Sequence, residues 1–81
     1  MNIEKLQHKG MLAETNKKFR ALDTEASGLI ILIRTLLNPY EDVLEIDVEK
    51  ASASILRLNK ITTEMKVLKE KKKKLESELE L

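Results

Sequence analysis

No cysteine occurs in the chain. A disulfide scaffold and thiolate zinc sites are excluded, and the composition suits a reducing compartment, with the cytoplasm as the expected location. Aromatic residues are almost as scarce: one Phe, one Tyr and no Trp make up 2% of 81 residues. Large apolar and aromatic side chains carry most core burial, so a compact globular core is not expected. Glycine occurs twice and proline once, which leaves few places for the chain to turn. Neither sign of charge dominates. The net charge of +1 gives no overall field that selects nucleic acid or an anionic membrane as partner. The longest apolar run, residues 29–33, is followed at once by Arg34. A membrane span needs roughly 20 apolar residues, so no membrane association is expected. Residues 1–10 are charged and lack the apolar centre of a signal peptide.

What remains is the composition of a long-helix protein. Charged residues reach 36% and hydrophobic ones 42%, and the hydrophobic ones are periodic, which argues against disorder. A first arm spans about 2–37, with Asn2 as its candidate cap. Phe19, Leu22, Ala26, Leu29, Ile33 and Leu36 step by threes and fours, the spacing of a heptad seam. Backward continuation reaches Thr15, Leu12 and His8, where the seam weakens, and Gly10 predicts fraying or an offset in the first turns. Ile30 and Leu37 widen the stripe.

The only proline and the only tyrosine lie in a tip at 38–47, Asn-Pro-Tyr-Glu-Asp-Val-Leu-Glu-Ile-Asp. Proline at 39 pushes Asn38 out of the α region and ends the first arm near Leu37. Asn38-Pro39-Tyr40-Glu41 also matches a helix start, so a short turn over residues 39–44, or a second helix beginning there, is one expectation. Asp47 is the other candidate cap, and the main start of the second arm is placed there. Val43, Leu44 and Ile46 are expected to fold back over Leu36 and Leu37.

The second arm spans about 47–80. Its seam is Ala51, Ser54, Leu58, Ile61, Met65, Leu68, Lys72, Leu75 and Leu79, flanked by Val48, Ile55 and Thr62. The small cluster Ala51, Ser52, Ala53 and Ser54 would lie opposite the bulky residues 29–37 if the arms run antiparallel. Lys5 and Lys9 would then meet Glu76, Glu78 and Glu80. Lys72 would keep its charge in water while its stem lies on the seam. The expected fold is therefore all-α: one antiparallel two-helix hairpin over 1–81. Its seam pairs Leu22, Leu29, Ile33 and Leu36 with Leu58, Ile61, Met65 and Leu68. A single helix running through the tip is the weaker alternative, because Pro39 breaks it.

Two helices share only one interface, and a chain this small without disulfide or metal gains little from it. Residues 29–33 are apolar all round, and Gly10, Ala21, Thr24, Gly28, Ile31 and Thr35 form a second, mostly small face. A homodimer or higher oligomer is expected, two hairpins forming a four-helix bundle with Gly28, Ile31, Leu32 and Thr35 at the contact.

Chemistry is sparse. His8 is the only histidine, so a zinc site is not supported. The tip carboxylates lack the spacing and glycine of a calcium loop. No serine has a nearby histidine, and no glycine-rich phosphate loop follows a strand, so no catalytic, cofactor-binding or metal residue is assigned and no enzyme is expected. Lys66, Lys69, Lys71, Lys73 and Lys74 form a candidate phosphate patch. Glu70 and Glu76 interrupt it and no aromatic accompanies it, so nucleic acid is the less favoured partner. The expected function is a small non-enzymatic interaction or structural protein that self-associates. The alternatives are a nucleic-acid accessory protein or an adaptor or chaperone for a different protein.

Overall fold

A computed structural model describes residues 3–79. Helix α1 spans Ile3–Leu36 and helix α2 spans Val48–Glu78, with a single 3₁₀ turn at Val43–Glu45 between them. The helices pack along their length into a rod of 65 × 16 × 14 Å. The hairpin is all-α, and no helix among the described residues is long and apolar enough to cross a membrane.

The tip shows why the chain reverses. Asn38 turns its side chain back on the backbone, and Oδ1 accepts from the Tyr40 amide at 3.0 Å. That bond closes one turn and propagates no helix. Asp42 then caps the 3₁₀ turn, accepting from Leu44 N–H at 3.0 Å. Asp47 caps α2 and accepts from Lys50 N–H at 3.0 Å. The start at Asp47 is the one the chain uses. Asn2, the candidate cap of α1, lies outside the described residues, as does Glu80.

Three expectations need correction. Val43 and Leu44 do not fold back over the seam; they are 76% and 91% exposed, and only Ile46 is half-buried. The Asp42 cap satisfies the turn locally, so the tip needs no apolar anchor to hold its shape. Ser52 and Ala53 face solvent, and only Ala51 and Ser54 of the small cluster enter the seam. The third concerns the offset expected at Gly10. Helix α1 runs through it without a break, and His8, Leu12 and Thr15 stay on the side facing α2. One glycine costs only about 1 kcal/mol, which packing on α2 outweighs.

The seam repeats in both helices. Taken outward from the tip, its steps place Leu36 level with Ala51, Ile33 with Ser54, Leu29 with Leu58, Ala26 with Ile61 and Leu22 with Met65. Large residues thus meet small ones at several levels, which fills the space between the helices without voids. Among the described residues Ile61, level with Ala26, is the one large side chain buried completely. The buried polar residues cause no deficit. Thr15 Oγ1 donates to the Met11 carbonyl at 2.7 Å and Ser54 Oγ to the Lys50 carbonyl at 2.8 Å. Among the described residues no buried side-chain polar atom lacks a partner.

Candidate interaction surface

Of the eight seam residues, Ile61 and Leu68 are buried, and Leu22, Leu29, Ile33, Leu36, Leu58 and Met65 are half-buried. They leave much apolar surface uncovered. Among the described residues only Ala26, Ala51, Ile61, Leu68, Leu75 and Leu79 form the buried apolar core. Most of the exposed large hydrophobic residues lie in residues 30–56, the half of the rod nearest the tip.

These exposed residues form two separate faces. The outer face of α1 carries Gly28, Ile31 and Thr35, all exposed, with Leu32 half-buried beside them. A concavity of about 410 Å³ lined by Ile31, Arg34, Thr35, Asn38 and Pro39 sits at the tip end of this face. The other face is a flank shared by both helices: Ile30 and Leu37 from α1, Val48 and Ile55 from α2, each well exposed. Reading the sequence placed these four beside the seam without assigning them a role. The signal was present, because each lies one position beyond the seam on the same side of its helix, and two such edges meet only when the helices run antiparallel.

Along α2 this flank changes character. Val48, Ser52, Ile55, Asn59, Thr62, Lys66, Lys69 and Lys73 step by threes and fours on one side. The stripe begins apolar at the tip and ends cationic. At its cationic end a groove of about 320 Å³ is lined by Phe19, Lys69, Lys72, Lys73 and Glu76. Phe19 is half-buried there. Lys72 is half-buried on the seam and lies 3.9 Å from Glu76 of its own helix, so its stem covers apolar surface while its charge stays at the edge. The candidate patch residues Lys66, Lys69, Lys71, Lys73 and Lys74 are all exposed. They are spread over several sides of α2, because neighbours in sequence point about 100° apart on a helix.

Among the described residues, one ion pair and one histidine–carboxylate contact cross between the helices. Arg57 holds Glu25 through both carboxylate oxygens, Nε to Oε2 at 2.7 Å and Nη2 to Oε1 at 3.1 Å. The hydrogen bond from Arg57 draws the Glu25 carboxyl below its ordinary range, and the same bond raises the guanidinium. Both groups are solvent-exposed, so water and salt weaken the pair. At the open end His8 Nε2 lies 2.9 Å from Glu78 Oε2. Of the acidic residues Glu76, Glu78 and Glu80 expected to meet Lys5 and Lys9, Glu78 meets His8 and Glu76 lies beside Lys72 of its own helix. Among the described residues no group of three or more His, Cys, Asp or Glu side chains is placed to hold a metal ion.

Set against family models, curated proteins and solved structures, the chain matches none of them. Its surface is therefore the basis for any reading of its role.

Proposed function

We propose that the chain is a non-enzymatic structural or interaction protein of the cytoplasm that works as a homodimer, two hairpins forming a four-helix bundle. One observation carries this reading: a flank contributed by both helices presents Ile30, Leu37, Val48 and Ile55 to solvent. A contiguous exposed apolar surface of this kind marks a contact. Four-helix bundles are built by pairing two-helix faces, and this flank is such a face. The outer face through Gly28, Ile31, Leu32 and Thr35 draws on α1 alone, which favours the flank as the primary contact. The small buried core supports the same reading, since a chain of this size needs a further source of stability.

The test is the mass in solution by light scattering after size exclusion, with thermal melts at two concentrations. A dimeric mass and a melting temperature that rises with concentration are expected. Ile55→Glu should give a monomer, because a charge would be buried at the contact, and Ile31→Glu should leave the dimer intact. The reverse result moves the contact to the outer face of α1. A well-folded monomer at every concentration overturns the proposal.

A further inference from the structure

The hairpin is electrically two-ended. Glu41, Asp42, Glu45, Asp47 and Glu49 give the tip region five negative charges with no basic residue among them. In residues 66–74 of α2, six lysines stand against Glu70 alone, leaving five net positive charges. Each region also carries an unsatisfied apolar element. At the tip Tyr40 is 95% exposed and Leu44 91% exposed. At the lysine end the groove lined by Phe19, Lys69, Lys72, Lys73 and Glu76 has an aromatic floor and a mainly cationic rim. An apolar tip with an acidic rim and an apolar groove with a basic rim match in both chemistry and sign. One hairpin cannot bring its own two ends together, because they lie far apart along a 65 Å rod.

We propose that in the homodimer the two hairpins lie antiparallel, so that the tip of each copy docks on the Phe19–lysine groove of the other. The inference rests on the dimer proposed above and assigns its orientation. Helical rise supports it. From Asp47 to Lys69 is about 33 Å of helix at about 1.5 Å per residue. A twofold axis that superimposes tip on groove must cross midway, near the level of Leu58. Ile55 lies one turn from that level. Ile30 lies there too, since the seam places Leu29 level with Leu58. Ile30 and Ile55 of the exposed flank therefore lie where the axis must pass, with Leu37 and Val48 nearer the tip, and an isologous contact brings the same residues of both copies together at its axis. The opposed charges select this arrangement, and Ile30 and Ile55 fall at its axis. Docking tip against tip would oppose five negative charges on each side and leave both grooves empty.

The chain's lack of cysteine makes a direct test available. Glu45→Cys and Lys73→Cys replace exposed side chains, so each variant should keep the wild-type helix content. The two variants are mixed and treated with a short bismaleimide, and each is also treated alone. The expected result is covalent dimer from the mixture well in excess of that from either variant alone. Efficient coupling of Glu45→Cys to itself would overturn the antiparallel orientation while leaving the homodimer standing. Dimeric mass by light scattering with no coupling in any sample would overturn it too. A monomeric mass for wild type would instead remove the homodimer on which the inference rests. A second set of variants needs no cysteine. Lys69→Glu with Lys73→Glu should weaken dimerisation at least about tenfold at low salt. Mixing that chain with one carrying Glu41→Lys and Glu45→Lys should restore association, because one contact then has the native charges and the other has them exchanged. No weakening, or weakening without recovery, counts against the charge match.

Discussion

Arg57 and Glu25 join the two helices near the middle of the hairpin by paired hydrogen bonds of 2.7 and 3.1 Å. Both stand at the edge of the seam on the same side, a position where antiparallel helices place like heptad positions opposite one another. Because the folded chain holds the Glu25 carboxyl below its ordinary value of 4.5, the pair stabilises the fold above about that pH, and the stabilisation disappears as pH falls through the lowered folded value. The melting temperature of wild type should therefore exceed that of Glu25→Gln at neutral pH and low salt. The gap should close on acidification and narrow in high salt. A gap that is unchanged by pH would mean that the carboxylate charge contributes nothing.

Ile61 is completely buried opposite Ala26. Ile61→Ala would leave a void between two small residues, with an expected cost of about 2–5 kcal/mol. In a hairpin with so small a core this should abolish cooperative melting by circular dichroism. Val67→Ala, on the exposed side of the same helix, should change the melt little.

Thr15 makes the opposite case. It is buried, yet its hydroxyl bonds the Met11 carbonyl within its own helix. No partner on α2 depends on it. Thr15→Val keeps the shape, removes the hydroxyl and strands no buried group, so the melt should stay within about 1 kcal/mol of wild type or rise. A large loss would show that the hydroxyl has a role across the helix pair.

A methyl group added at Gly10 or Gly28 meets nothing within 4 Å. Gly10→Ala and Gly28→Ala should each raise stability by about 0.5–1 kcal/mol in chemical denaturation, through helix propensity alone. Gly28→Ala also separates the two candidate contacts. Unchanged or stronger association fits the flank, and weakened association would mean that a second backbone approaches the outer face of α1 at Gly28.

The hairpin was legible in the residues because its two determinants are strong and local. Heptad steps from Phe19 to Leu36 and from Ala51 to Leu79 leave one packing solution, and Pro39 with Asp47 sets where the chain reverses. The course of the tip was less legible. Val43 and Leu44 look like core residues, but local caps at Asn38 and Asp42 set the turn before any apolar contact can. Partner choice among charges was also obscure. His8 and Lys9 are adjacent in sequence, and only the side of the helix each occupies decides which reaches Glu78. The flank at Ile30 and Ile55 was readable as a stripe, but its role depends on surface left uncovered after the helices have paired.

The fold is held along a line rather than around a centre, and this shapes how it opens. The turn set by Asn38, Asp42 and Asp47 is closed by short-range bonds. The contact at Glu25 and Arg57 joins residues 32 apart in the chain, and the one between His8 and Glu78 spans more than twice that separation. Each level from the tip to the open end must therefore enclose a longer loop, at a rising entropic cost. The hairpin should open as a zip hinged at the tip: amides near His8 and Leu75 are expected to exchange with solvent by partial opening, and those around Ile33 and Ser54 only when the helices part altogether, which hydrogen exchange would measure.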